Sequence, residues 1–592
     1  MGTQEKRAKR SGMVLILCML FIAVFSSLGL LFARMSVANA QIAQNHHQTN
    51  GAMGGAFSAM ELGRYVVAKT PTFATGRNTI SDVEAGVIWA RLSSALSGAD
   101  IGGLKVAASR TFTDAGGSGQ EIVTDWATYG AGAEQLAIRF YRYDSHPTTI
   151  KMSAYGRNGA AVRQITMDFE MGKQADVLSY AVASRGRIWL DQNSIVHGPL
   201  FSTWNRPDVG PGIETASGTA VLGTINTVIS LEDFQASGIQ METLGANDKP
   251  MFEFGVPVYD SLGNPVLGSY GPVDDGGYLL DKNLNPVYDK NGQRICRDYN
   301  DRIYSTNDAV KGYHKGVDYE VPFRGNMPGM RAEEYDTSDY KLMCSSSIGT
   351  HDYTATEYFP HAEGDYTQPR SSGGSYKYSR RVYENKTLSD VRVPQGQHAL
   401  FRNCTFEGVL FVETRSNYTN NASYTNNIRF ENCTFNGVIV TDVPASTNDA
   451  SWWRRNALTF TGQSTFNNTS SIQEATVLAP NFNVNIGSTA QVGKTSNNII
   501  KGVVIGGIVD VYGDAEIRGT IISMYDTSAF ASGYVTNIGD SEDGGSESFG
   551  NIVGQVTITP DPELRLPSGI TAPIVIQAVK STYNETPGSQ AI

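Results

Sequence analysis

Twenty-one consecutive positions, Met13–Ala33, carry no charge, and only Ser26, Ser27 and Gly29 interrupt their apolar character. At about 1.5 Å of rise per residue, a helix of that length crosses a hydrocarbon core of about 30 Å. No polar stripe recurs every three or four positions, as it would in a helix lying on a globular core. The run therefore predicts a membrane-spanning helix. Lys6, Arg7, Lys9 and Arg10 precede it and Arg34 alone follows closely, so the positive-inside bias places the N-terminus in the cytoplasm and the remainder outside. A cleaved secretory signal is the competing interpretation, with Ala38-Asn39-Ala40 as its processing site. Signal peptides carry an apolar region of about 7–15 residues, so the length favours retention.

Beyond Arg34 the helix is expected to continue to about Ala68, loosened or broken midway by Gly51, Gly54 and Gly55, each costing about 1 kcal/mol against Ala. A second helix is expected from Ser81, where Ser81-Asp82-Val83-Glu84 matches a capping box. Val83, Val87, Ile88, Leu92 and Leu96 mark its apolar face, and Gly98 its stop.

The period then changes to two. LAIRFYRYD from Leu136, TTIKMSAYG from Thr148 and AVRQITMDFEM from Ala161 predict strands parted by polar or Gly-containing turns. Further on, two distant segments match each other. Gly186, Ile188, Leu190, Ser194, Val196, Gly198, Leu200 and Ser202 correspond to Gly507, Val509, Val511, Ala515, Ile517, Gly519, Ile521 and Ser523. Short strands turned on Gly and small polar residues suit a parallel β-solenoid, in which each coil stacks on its neighbour. A second repeat joins Phe401-Arg-Asn403-Cys404-Thr-Phe406 to Phe430-Glu-Asn432-Cys433-Thr-Phe435, an offset of 433 − 404 = 29 residues. Asn tolerates the left-handed conformation of a tight corner, so stacking is expected to set Asn403 over Asn432 and Phe406 over Phe435.

The fold class expected is mainly β: a transmembrane helix and stalk, a small α+β module, and a parallel β-solenoid with an inserted subdomain. Its parts are a basic leader at 1–12, the span at 13–33, a helical stalk and second helix at 34–100, and the α+β module at 101–174. A first solenoid segment at 175–237, an inserted Tyr/Asp/Gly-rich subdomain at 238–385, the main solenoid at 386–556 and a C-terminal cap and tail at 557–592 complete it. The insertion lacks a sustained period, and VYDSLGNPVLGSYGP and LLDKNLNPVYDKNGQ suggest turn-linked hairpins.

Two resemblances extend this picture. The basic leader ending in Ser11-Gly12, the bare apolar helix and the segment Ala56-Phe57-Ser58-Ala59-Met60-Glu61-Leu62-Gly63 resemble the N-terminus of PilX-type minor pilin-like proteins and of the tip pseudopilins of type II secretion. That resemblance covers about the first seventy residues and implies prepilin-type processing between Gly12 and Met13. Major pilins carry a Glu five residues after the cleaved Gly, where this chain has Leu17; tip-type members often lack that Glu. A helical stalk against a small α+β module would resemble a pilin head. The F-x-N-C-T-F wording resembles right-handed parallel β-helix proteins, a group that includes pectin-degrading enzymes and many surface proteins.

Composition adjusts the reading in a few places. With 592 residues the chain is long enough for several domains, and 62 Gly beside 28 Tyr lean toward a β-rich, turn-rich architecture. A net charge of −11 argues against nucleic acid as a partner, since phosphates demand Lys and Arg clusters. Of five cysteines, Cys18 lies in the apolar run, and Cys296 with Cys344 could bridge in an oxidising compartment. Cys404 and Cys433 fall in the repeat, where stacked free thiols are expected.

Candidate chemistry is sparse. Asp281 and Asp289 open Asp/Asn turns that fail the calcium-loop pattern, with Pro286 where Gly is required and Asn300 where Glu is. Asp510, Asp514, Glu516 and Arg518 alternate along one stretch and would suit a polysaccharide-cleaving site, although any exposed strand places charges this way. Trp452-Trp453-Arg454-Arg455 would serve as a sugar or partner patch, or pack one Trp on the solenoid. His46-His47 reads as solvated, sequons such as Asn417, Asn421 and Asn468 as products of Asn/Thr-rich turns, and no motif implies a cofactor. The expectation is a membrane-anchored, non-enzymatic accessory protein of a type IV pilus or type II secretion-like assembly, with other pilin-like subunits as partners. A surface-tethered β-helix enzyme or binding protein acting on polysaccharide is the alternative, and a passive envelope protein with a plain anchor is a third.

Overall fold

The computed structural model describes residues 5–96, 109–129, 134–191, 194–206, 327–358, 379–414, 426–443, 456–467, 475–487, 498–527, 534–539 and 555–588, with short pieces at 100–105 and between 212 and 310. The described chain is mainly β, with one long N-terminal helix. It divides into two compact units, one of residues 1–73, 79–172 and 574–592, the other of residues 74–78 and 173–573.

In the first unit, α1 runs unbroken over Glu5–Lys69. Gly51, Gly54 and Gly55 do not interrupt it, contrary to the sequence expectation. Behind it lies an antiparallel sheet in the order Ala572–Pro587, Ala161–Lys173, Thr149–Asn158, Gln135–Tyr143, Gly117–Val123, Arg110–Asp114. Ala56, Ala59, Met60 and Val67 of α1 are buried with Ile138, Phe140, Met152, Ala154 and Ile165 of the sheet. The glycines make this seat possible. A Cβ on Gly55 would lie 3.0 Å from the Gln135 carbonyl, one on Gly63 would overlap the Met152 sulfur, and one on Gly156 would overlap the Ala52 carbonyl. What the glycines cost in helix propensity, close approach of backbone to backbone offsets.

Helix α2, Asp82–Leu96, starts as its sequence predicts: Ser81 N–H donates to Glu84 Oε2 at 2.8 Å and Glu84 N–H to Ser81 Oγ at 3.4 Å. Its buried face is Ala85, Ile88, Trp89, Leu92 and Leu96. Val83 is 77% exposed and Val87 also faces solvent, so the expected apolar face was rotated by about one position and omitted Trp89. Gly98 lies outside the described residues. The region after 557, expected as a cap and tail, supplies the 16-residue strand Ala572–Pro587 of this sheet. Its alternation is too weak to announce a strand.

The second unit is built on a 22-stranded sheet rich in parallel pairs. Strand Thr405–Val412 pairs in register with Thr434–Thr441, Phe406 opposite Phe435, and Ala399–Arg402 pairs with Asn427–Glu431, Phe401 opposite Phe430. The expected stacking is present as ring ladders. Tyr383, Phe401, Phe430 and Phe460 follow at 5.3, 5.5 and 5.0 Å between centroids. Phe406, Phe435 and Phe466 follow at 5.1 and 4.7 Å. Between the ladders the turn is left-handed, at φ 50° for Asn403 and 54° for Asn432, and Gly462 takes the same role at φ 65°.

The segments matched by sequence at an offset of 507 − 186 = 321 share this one sheet. Ile188 and Val509 both pair with Thr536, Ser194 and Ala515 with Val556, and Leu200 and Ile521 with Val182. Matching residues thus occupy one column, two levels apart. Neither Gly186 nor Gly507 has positive φ; Gly519 does, at 152°, and a Cβ there would overlap the Gly502 carbonyl.

Several strands are apolar at odd and even positions alike. One face, with Phe406, Leu410, Val412, Phe435 and Ile439, enters the main core. The other, with Val409, Phe411, Val438, Val440, Val503 and Ile505, forms a second layer with Met327, Met330, Tyr335, Tyr340, Cys344, Leu566 and Ile570. Runs such as Val409-Leu410-Phe411-Val412 are covered on both sides, which is why they do not alternate. Residues of the expected insertion supply much of that cover: Thr337 Oγ1 donates to the Thr441 carbonyl at 2.8 Å and Lys341 pairs with Asp442 at 3.3 Å.

Candidate functional site

The feature that a soluble fold does not account for is the N-terminal half of α1. From Met13 to Ala33 every residue is exposed, Met13 at 73% and Phe25 at 68%, and the run is apolar enough and long enough to cross a membrane. Ser27, one of its polar interruptions, turns its hydroxyl to the Val24 carbonyl at 2.8 Å, so its donor is satisfied within the helix. An exposed face of such chemistry is stable in lipid and costly in water, at roughly 25 cal/mol per Å² of apolar surface. Met13 and Leu17 lie in this bare helix. Exposure continues along α1 through His46 and His47, and burial begins at Ala52, where the glycine-lined seat on the sheet starts.

The carboxylates expected from the polysaccharide alternative are each engaged nearby. Asp510 accepts a hydrogen bond from Asn537 Nδ2 at 2.6 Å, and burial pushes its carboxyl up to about 6 against that bond. Asp514 accepts from the Gln555 N–H at 3.0 Å, and Glu516 pairs with Arg518 at 2.6 Å. A left-handed turn at Gly513 sets Asp510 on the strand Asn498–Tyr512 and the Glu516–Arg518 pair on Ala515–Ser523. Asp510 lies beside Asn485 and Asn537, whereas Arg518 lies beside Lys501 and Thr559.

Among the described residues no group of three or more His, Cys, Asp or Glu side chains could hold a metal ion. Trp452, Trp453, Arg454, Arg455, Asp281, Asp289, Asn417, Asn421 and Asn468 lie outside the described residues, as does the side chain of Cys296. Cys344 is a free, buried thiol raised to about 11, chiefly by burial. Cys404 and Cys433 are also free and buried. The Cys433 thiol hydrogen-bonds the Cys404 sulfur, which lowers the pKa of Cys404, while the same bond and burial raise that of Cys433.

The sequence reading took Gly51, Gly54 and Gly55 as breaks and so missed the seating role they share with Gly63 and Gly156. For Gly156, a glycine inside an otherwise regular strand was the one sequence signal.

No family model and no curated protein matches the chain. Among solved structures it is similar to the competence-associated pilin ComZ from Thermus thermophilus, at 12% identity and a TM-score of 0.29, over 92% of this chain and 98% of that one. A superposition that loose carries no argument.

Proposed function

We propose that this chain is a membrane-anchored, non-enzymatic, pilin-like accessory subunit of a type IV pilus or type II secretion-like assembly. The observation that carries this reading is α1 itself. One continuous helix has an apolar half bare on all sides and a second half seated by glycines on an antiparallel sheet. The pilin-like wording of residues 6–63 adds support from sequence. The apolar half anchors the subunit, with the N-terminus in the cytoplasm, and later packs among the helices of other pilin-like subunits.

The second unit serves as the display surface in this reading, as a right-handed parallel β-helix. In-register parallel pairs, ring ladders and repeated left-handed corners support that closure. Its carboxylates are engaged in structural bonds, which favours display over catalysis.

Sequencing the mature N-terminus tests the proposal. A start at Met13 is the expected result and supports prepilin-type processing. An intact Met1 points to a plain anchor, and a start at Gln41 to secretion; the latter would overturn the membrane role.

A further inference from the structure

We propose that Cys404 and Cys433 are joined by a disulfide in the exported protein, tying two successive levels of the parallel sheet together. Their backbones are held at matching positions. On one side Arg402 pairs with Glu431, on the other Thr405 pairs with Thr434, and Thr434 N–H donates to the Cys404 carbonyl at 2.9 Å. Neighbouring strands lie about 4.8 Å apart, inside the roughly 4.4–6.8 Å of Cα separation that a disulfide spans. The Cys404 thiol donates to the Tyr383 carbonyl at 3.3 Å and the Cys433 thiol to the Phe401 carbonyl at 3.4 Å, so each reaches the neighbouring level from the buried turn between the ring ladders.

Pairing of either residue with Cys18 or Cys344 is disfavoured by position. Cys18 sits in the apolar run of α1, and Cys344 belongs to the outer layer, its sulfur 3.7 Å from the Val409 carbonyl. The inference rests on the reading that everything beyond Arg34 lies outside the cytoplasm, where thiols meet oxidants. The oxidant class is a thiol–disulfide exchange partner, either a protein disulfide oxidase or oxidised glutathione. The Cys404 thiolate attacks the oxidant's disulfide and releases one of its sulfurs as a thiol. The Cys433 thiolate then attacks the mixed disulfide, forming the Cys404–Cys433 bond and releasing the second. Two thiol protons and two electrons pass to the oxidant, which leaves as a dithiol or as two thiols. Because the folded side chains are 1% and 0% exposed, the exchange belongs to folding, before the two levels close.

The test compares the full chain purified from cells with the same chain unfolded, reduced and refolded in a glutathione redox buffer. Each sample is denatured without reductant, alkylated, digested and mapped by mass spectrometry. The expected result is one linked peptide pair containing Cys404 and Cys433, two hydrogens lighter than the sum of the thiol forms, in both samples. In a Cys433→Ser variant, Cys404 should become fully alkylated. Alkylation of both cysteines in the refolded sample overturns the proposed bond. Linkage after refolding with free thiols in the cellular sample overturns its presence in the exported protein. Protease accessibility of the second unit in intact spheroplasts then decides whether the export reading fails with it.

Discussion

At Asp510, burial and a single donor compete to set the charge state. Asn537 Nδ2 favours the carboxylate, desolvation opposes it, and the balance lies at about 6, above the roughly 3.9 of an unfolded aspartate. Over that window the folded chain binds more protons than the unfolded one, so this residue makes stability fall as pH rises from about 4 to about 6. Asp510→Asn keeps the shape and the acceptor for Asn537. The variant should match the natural chain near pH 4 and exceed it above pH 6 in the urea midpoint. Parallel curves across that range would show that Asp510 is not the group responsible. The same side chain shows a limit of sequence reading. Its alternation with apolar neighbours was visible in sequence, but the Asn537 bond comes from a residue 27 positions away.

At the scale of elements, helix and sheet meet through missing side chains. The three glycines of α1 read as breaks by propensity alone, yet tertiary packing overrides a cost of about 1 kcal/mol each. Gly156→Val should destabilise the first unit by about 1–3 kcal/mol through overpacking against the Ala52 carbonyl. Gly86→Ala in α2, where an added Cβ meets nothing within 4 Å, should instead stabilise it by about 0.5–1 kcal/mol. Urea titrations of the two variants would distinguish a packing glycine from a merely tolerated one; equal effects would count against the seat. In the sheet of the second unit, Phe401, Phe430 and Phe460 recur by sequence and stack in space, because parallel in-register pairing brings equal positions together. The stacking of Phe406 on Phe435 was legible before any coordinates. The second layer over Val409 and Phe411 was not, since the covering residues Met327 to Cys344 carry no period that ties them to it.

For the whole molecule, the bare apolar half of α1 decides solubility. Removing residues 1–34 leaves the seat that begins at Ala52, so the truncated chain should pass from the membrane pellet to the supernatant with its near-UV circular dichroism intact. Persistence in the pellet would place membrane affinity elsewhere in the chain. Composition and repeats fixed a good deal in advance. The uncharged run marked a helix long and apolar enough to cross a membrane, the doublet of F-x-N-C-T-F segments implied in-register stacking, and Ser81 with Glu84 set the start of α2. These are local rules, in which a residue and its near neighbours suffice. The tertiary structure alone decided that Gly51, Gly54, Gly55 and Gly156 join a helix to a sheet, and that Ala572–Pro587 completes a sheet begun more than 400 residues earlier. The matched repeats anticipated that 182–227 and 498–559 belong together, and the structure supplied the register in which they share one sheet. Such contacts depend on which surfaces meet after the chain has folded back. No window of neighbouring residues contains that information.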